Sequence, residues 1–164
     1  MWQYWNDEFV RLYNAGAYPE ALECARRAAD YALDEFGVMD PHTATSLNNM
    51  AVVLRLMERL EEAEMLVRKA LAINTEVRGM EHPETGNCLN NLAILHSDRG
   101  DYETAASLYR WAIEIREKAL GAEHPELQIN YRNIAQMYEA SGDNQASKHY
   151  SERLSKYSAK PVCS

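Results

Sequence analysis

The sequence predicts an all-α fold, four helix-turn-helix pairs stacked as a solenoid. Three observations carry that expectation. A step of 42 residues repeats along the chain, apolar residues recur within it at helical spacing, and proline and glycine mark the same points of successive steps.

The step is plainest in "MDPHTATSLNNMA" (39–51), "EHPETGNCLNNLA" (81–93) and "EHPELQINYRNIA" (123–135). Pro41, Pro83 and Pro125 keep it, as do Gly37, Gly79 and Gly121, and Asn49, Asn91 and Asn133. Small residues keep it too: Ala51, Ala93 and Ala135, then Ala28, Ala70 and Ala112. One step further back, Gly16, Tyr18 and Ala21 answer Glu58, Leu60 and Ala63. Repeats are therefore expected at about 2–37, 41–79, 83–121 and 125–157, forming one domain over 1–157.

Taken in order, the first pair is expected at about 2–14 and 17–36, with Gly16 at its turn and Gly37 closing it. The second pair, 41–57 and 60–78, opens with Asp40 as N-cap and Pro41 at the first helical position, where no N–H is needed. Leu47, Met50, Ala51 and Leu54 give it an i, i+3, i+4, i+7 face. Its turn carries Glu58 where glycine is expected, which predicts strain. The third pair, 83–99 and 102–120, repeats the face with Leu89, Leu92, Ala93 and His96, then buries Tyr102, Ala105, Leu108, Tyr109, Ala112, Ile113 and Ile115. His82 and His124 are weaker caps than Asp40. The fourth pair follows at 125–141 and 144–157, turning at Gly142. Gly37, Gly79 and Gly121, each followed by an apolar residue, suit a left-handed C′ position in a Schellman closure. The aperiodic end, 158–164, is expected to be a mobile tail.

Composition narrows the function. With 46% apolar and 26% charged residues the chain is an ordinary folded protein. Its net charge of −8 disfavours a phosphate backbone as partner, so nucleic acid is excluded. No apolar run is long enough to span a membrane, and the start lacks the pattern of a signal peptide. Cys24, Cys88 and Cys163 show no metal-ligand spacing and read as reduced thiols of a cytoplasmic protein. His42, His82 and His124 fall at repeat junctions, too far apart to share a metal, and no cofactor is implied. No nucleophile, base and phosphate-binding loop converge, so no enzyme is expected.

Units of this design resemble tetratricopeptide repeats. The third matches the family pattern with Leu89, Leu92-Ala93, His96, Gly100, Tyr102, Ala105, Tyr109 and Ala112. Its longer period, with "HPET…LNNLA…GDYETAASLYRWAIEIREKALGAEHP", is similar to the variety found in the kinesin light chain. The end units depart from the pattern at Glu8, Asn144, Ser147 and Ser151, as suits faces that meet water.

The resemblance implies a right-handed superhelix whose first helices line a concave face, working as a protein-interaction scaffold that binds an extended peptide. It places Asn48 and Asn90 in the groove, with Asn6 and Arg132 at the equivalent positions. A carboxamide carries both donor and acceptor, so it can grip a peptide backbone of any sequence. Around that row the same geometry sets Thr45, Val52 and Arg55, then Asn87, Ile94 and Ser97, then Gln136 and Glu139. Asn49, Asn91 and Asn133 lie toward the seam between repeats, expected to tie each helix to a neighbouring loop. The alternative is a structural assembly unit joined through its end faces. Trp2, Tyr4 and Trp5 crowd aromatics onto the first helix, suiting either packing under the first unit or contact with another copy or domain.

Overall fold

The computed structural model describes residues 1–158, with side chains through residue 155. Among the described residues there are eight α-helices and no strand: α1 (Trp2–Asn14), α2 (Tyr18–Glu35), α3 (Pro41–Leu56), α4 (Leu60–Arg78), α5 (Pro83–Asp98), α6 (Tyr102–Leu120), α7 (Leu127–Ser141) and α8 (Asn144–Ser158). Every boundary falls within two residues of its expected place. Of the expected tail, only Ser158 is described, as the last residue of α8; residues 159–164 lie outside the described residues. The chain divides into two compact units, Met1–Met80 and Glu81–Ser164.

In the first unit α2 packs on α1 and α3, and α4 packs on α3. Ala21, Ala28, Ala32, Ala51, Ala63 and Ala70 are buried between these helices, where a side chain of one carbon lets axes approach closely. Phe9, Val53, Leu54, Val67 and Ile73 fill the remaining space. The α3 start is tied twice: Asp40 Oδ1 accepts from the His42 N–H at 2.8 Å, and Thr43 Oγ1 donates to the Gly37 carbonyl at 2.8 Å. Trp2 is drawn in as well. Its Nε1–H donates to Ser46 Oγ at 2.8 Å and its ring meets His42 edge-on. Trp5 lies under the Arg27 guanidinium, 4.9 Å from the ring centre. Two of the three N-terminal aromatics thus pack on their own unit, while Tyr4 stays exposed.

In the second unit α5 packs on α6, α6 on α7, and α7 on α8. Its core joins Ala93, Ala105, Tyr109, Ile113, Leu127, Tyr131, Ile134 and Met137, with Tyr150 and Leu154 of α8 packed against them. Fully burying an apolar side chain of this size stabilises by roughly 1.5–3 kcal/mol, so this cluster is the main source of the unit's stability. His82 caps α5 as expected, its Nδ1 accepting from the Glu84 N–H at 3.1 Å. Pro125 does not open α7. The Leu127 N–H bonds to the His124 carbonyl and that of Gln128 to Pro125, which tightens the segment into a turn and delays the helix to Leu127.

Two turn expectations are corrected or sharpened. Gly79 and Gly121 have positive φ, but with ψ of 162° and 143° they are extended, not left-handed helical. Gly79 N–H still closes α4 through the Asn74 and Thr75 carbonyls. The chain then leaves in a direction open almost only to glycine. At the other kind of turn, Glu58 has φ of +61°, where Gly16, Gly100 and Gly142 take the same sign without hindrance. A left-handed non-glycine residue costs about 1–2 kcal/mol, part of which glycine returns as lost chain entropy. Glu58→Gly should therefore raise the thermal midpoint, by about 1 kcal/mol of stability. A melt at or below wild type would refute the strain.

Candidate functional site

Each unit presents one face built by its two first helices. In the first unit this face comes from α1 and α3, where Thr45, Asn48, Val52 and Arg55 follow one another at helical spacing, all half-buried. Asn6 joins them from α1, its Oδ1 accepting from Asn49 Nδ2 at 3.0 Å. Thr45 Oγ1 donates to the Pro41 carbonyl at 3.0 Å, so that hydroxyl hydrogen is spent within the helix.

The second unit repeats the asparagine pair and adds a third carboxamide. Asn90 Oδ1 accepts from Asn133 Nδ2 at 3.4 Å and from Asn130 Nδ2 at 3.0 Å. Asn90, expected to look into an open groove, is only 7% exposed. Asn49 and Asn133 do face the seam between repeats, but their partners are asparagines of the preceding first helix, not loop groups. The correction has a simple cause. Carboxamides placed 43 residues apart meet where first helices lie side by side, and the Nδ2 of one then satisfies the Oδ1 of the other. Around this pair Arg132, Gln136 and Glu139 of α7 are exposed, Ser97 is half-buried, and Ile94 packs against the unit's core.

Asn87 is held differently. Its Nδ2 donates to Glu84 Oε2 at 3.2 Å, and its Oδ1 accepts from Arg116 Nη1. Arg116, on α6, is the residue that sequence reasoning missed. It is buried, yet its Nη2 donates to Glu126 Oε2 at 2.6 Å, so one side chain joins α5, α6 and the turn before α7. Burial pulls the guanidinium below its ordinary pKa, while Glu126 and Glu84 oppose that shift. Its Nε–H has no partner among the described residues, a desolvation cost carried inside the unit. Room for it comes from Gly86 in mid-helix α5: a Cβ there would meet Arg116 Cγ at 3.0 Å and the Ala112 carbonyl at 3.3 Å. The signal was present in the sequence, since one step earlier these positions hold Ala44 and Asn74. The smaller residue faces the larger.

His96 is mostly buried and its Nδ1 meets Asp101 Oδ2 at 2.9 Å; the Thr104 hydrogen bonds, and after them this histidine contact, hold the Asp101 carboxyl below its usual range. No group of three His, Cys, Asp or Glu side chains among the described residues could hold a metal ion. No helix among them is long and apolar enough to cross a membrane.

The sequence profile of the tetratricopeptide repeat matches residues 12–73 and 42–118. The chain belongs to the tetratricopeptide repeat family. Its structural neighbours are of the kinesin-light-chain-like kind. BtubC (BKLC) from P. vanneervenii superposes with a TM-score of 0.76 at 21% identity, over 93% of this chain and 64% of that one. This chain thus spans just under two-thirds of the length of BtubC. A kinesin light chain-type protein of Podosopora anserina with nearly identical TPR-like repeats gives 0.79 at 22% identity, over 99% and 77%. MamA gives 0.60 at 16% identity, over 92% and 74%. At these identities the neighbours establish the fold. A comparison with curated protein sequences finds no match. Tetratricopeptide repeats are in general protein-interaction scaffolds and typically non-catalytic.

Two substitutions test this geometry. Gly86→Ala overpacks the Arg116 contact and should cost about 1–3 kcal/mol by denaturant unfolding. Asn90→Ala leaves the Asn130 and Asn133 donors without their acceptor and should cost about 1–3 kcal/mol. Wild-type stability in either would show that the contact is not made.

Proposed function

We propose that this tetratricopeptide repeat protein is a non-catalytic scaffold whose first-helix faces bind an extended segment of a partner protein. The observation that carries the reading is the paired asparagine, Asn6 with Asn49 and Asn90 with Asn133, set on that face in each unit. Asn6, half-buried with its Oδ1 engaged by Asn49, still carries two N–H donors in a fixed orientation, while buried Asn90 orders the face by holding Asn130 and Asn133. Donors fixed in this way suit the carbonyls of an extended backbone, with Asn48 supplying a further carboxamide. Val52 and Ile94 offer apolar contact beside the row. Arg55 and Arg132 add positive charge in an acidic protein, favouring a ligand with carboxylates, and that preference should weaken with salt. Cys24 and Cys88, both buried and neither in a disulfide, suit a reducing cytoplasmic setting.

A second reading, self-association through the end face, is favoured by one observation. Tyr4 and Val10 on α1 remain 59% and 46% exposed although Trp2 and Trp5 pack inward. Sedimentation of wild type and Tyr4→Ser separates the two readings, because a concentration-dependent dimer lost in the variant belongs to the second.

For the scaffold reading, a photo-crosslinking residue at Gln136 or Val52 should capture a partner, and one at Lys148 on α8 should not. Asn48→Ala should weaken the captured partner about 2- to 13-fold, the equivalent of 0.5–1.5 kcal/mol for one hydrogen bond. Capture at Lys148 alone, or wild-type affinity in Asn48→Ala together with Arg132→Ala, would overturn it.

A further inference from the structure

The first unit holds an apolar pocket of about 540 Å³ between α2, α3 and α4, away from the asparagine row. Ala29, Leu33, Leu47, Met50 and Ile73 wall it, and Arg26, Asp30 and Lys69 supply the charge around it. Leu33 is 45% exposed and Val38, on the connecting loop, 61%. Repeat arithmetic shows why the space is there. Two steps along, Ala29, Thr43 and Leu47 are answered by Ile113, Leu127 and Tyr131. In the second unit those three larger side chains are buried in the core cluster, and the corresponding space is filled.

The charges around the two places also correspond, except for one. Arg26 is answered by Arg110 and Lys69 by Arg153, but Leu33 by Glu117. In the second unit Arg153 lies over the Tyr131 ring, 4.8 Å from its centre, and donates to Glu117 Oε1 at 2.7 Å. The Tyr131 hydroxyl donates to the same Glu117 oxygen. An aromatic ring, a carboxylate and a cation therefore close that unit from within. The first unit keeps the cation, Lys69, but has Leu47 for the ring and Leu33 for the bridging carboxylate, its own carboxylate Asp30 answering Glu114 instead.

We propose that the pocket receives an aromatic side chain of a partner protein, flanked by a carboxylate that meets Lys69. The second unit's own Tyr131–Glu117–Arg153 arrangement is the template. A ring in the pocket would face the Leu47 and Met50 side chains, and the ammonium of Lys69 would contribute both ion pairing and attraction to the ring. This surface is independent of the first-helix face. α3 contributes to both, but through different side chains.

The test uses a blocked tripeptide, glutamate-tyrosine-glutamate, titrated into the full chain labelled at methionine and leucine methyl groups. Saturable shifts are expected at Met50 and Leu47. The glutamine-tyrosine-glutamine analogue should bind about two- to fivefold more weakly, the range for an exposed ion pair. Lys69→Glu, a surface change that leaves folding intact, should abolish that difference. Ala29→Ile and Leu47→Tyr, which rebuild the filled state, should each remove the shifts while keeping a cooperative melt. The proposal is overturned by an absence of saturable shifts at Met50, by equal binding of an alanine-centred peptide, or by unchanged binding in both filled variants. A dimer that the filled variants dissolve would assign the pocket to a second copy and overturn it as well.

Discussion

Close approach of helix axes is the constraint on which the rest of this protein depends. Alanines at a fixed step stand where α2 crosses α1 and α3, where α4 crosses α3, and where α6 crosses α5 and α7. A larger side chain at any of them would separate a helix pair, and every residue carried on that pair would move with it. The constraint also explains the one place where it is relaxed. Where α6 carries arginine at position 116, α5 has given up even its Cβ at position 86, which leaves room for the arginine stem.

Once the helices are this close, polar residues on the inner side cannot be left to water. Asparagine is a poor helix-interior residue because it competes for backbone hydrogen bonds, yet here it sits in mid-helix as adjacent pairs. Asn49, the second member of its pair, donates to Asn6 of the preceding first helix, and Asn133, at the same repeat position after Arg132, donates to Asn90. Packing and the proposed recognition would therefore share one set of atoms. Bonds that hold neighbouring first helices together also fix the donors that a partner's backbone would meet.

The two units solve the same geometry with different side chains. The second closes itself with large residues and a Tyr131–Glu117–Arg153 cluster, while the first uses smaller residues and leaves space. A repeat scaffold can in this way carry a self-sufficient unit beside one that keeps a surface for something else, without altering its helix boundaries. Single changes of volume at three positions separate a core from a pocket.

Helix number, helix bounds and turn positions were legible from the chain, because a 42-residue step written over three full units samples each local rule repeatedly. Asp40 with Pro41, Gly142 and the alanine crossings needed nothing beyond local chemistry and periodicity. The left-handed strain at Glu58 followed from comparing one step with the next. Where local rules allow two outcomes, packing chose. Positive φ at Gly79 and Gly121 was readable, but their extended ψ depends on where the next helix begins. Pro125 could have opened α7, yet its turn is tightened instead. At the candidate site the row of residues was readable from repeat position. The engagement of Asn6, Asn87 and Asn90 was not. Hydrogen-bond partners 29, 40 and 43 residues away are set by how helices lie across one another, and a side chain's own sequence carries no record of which neighbour will reach it.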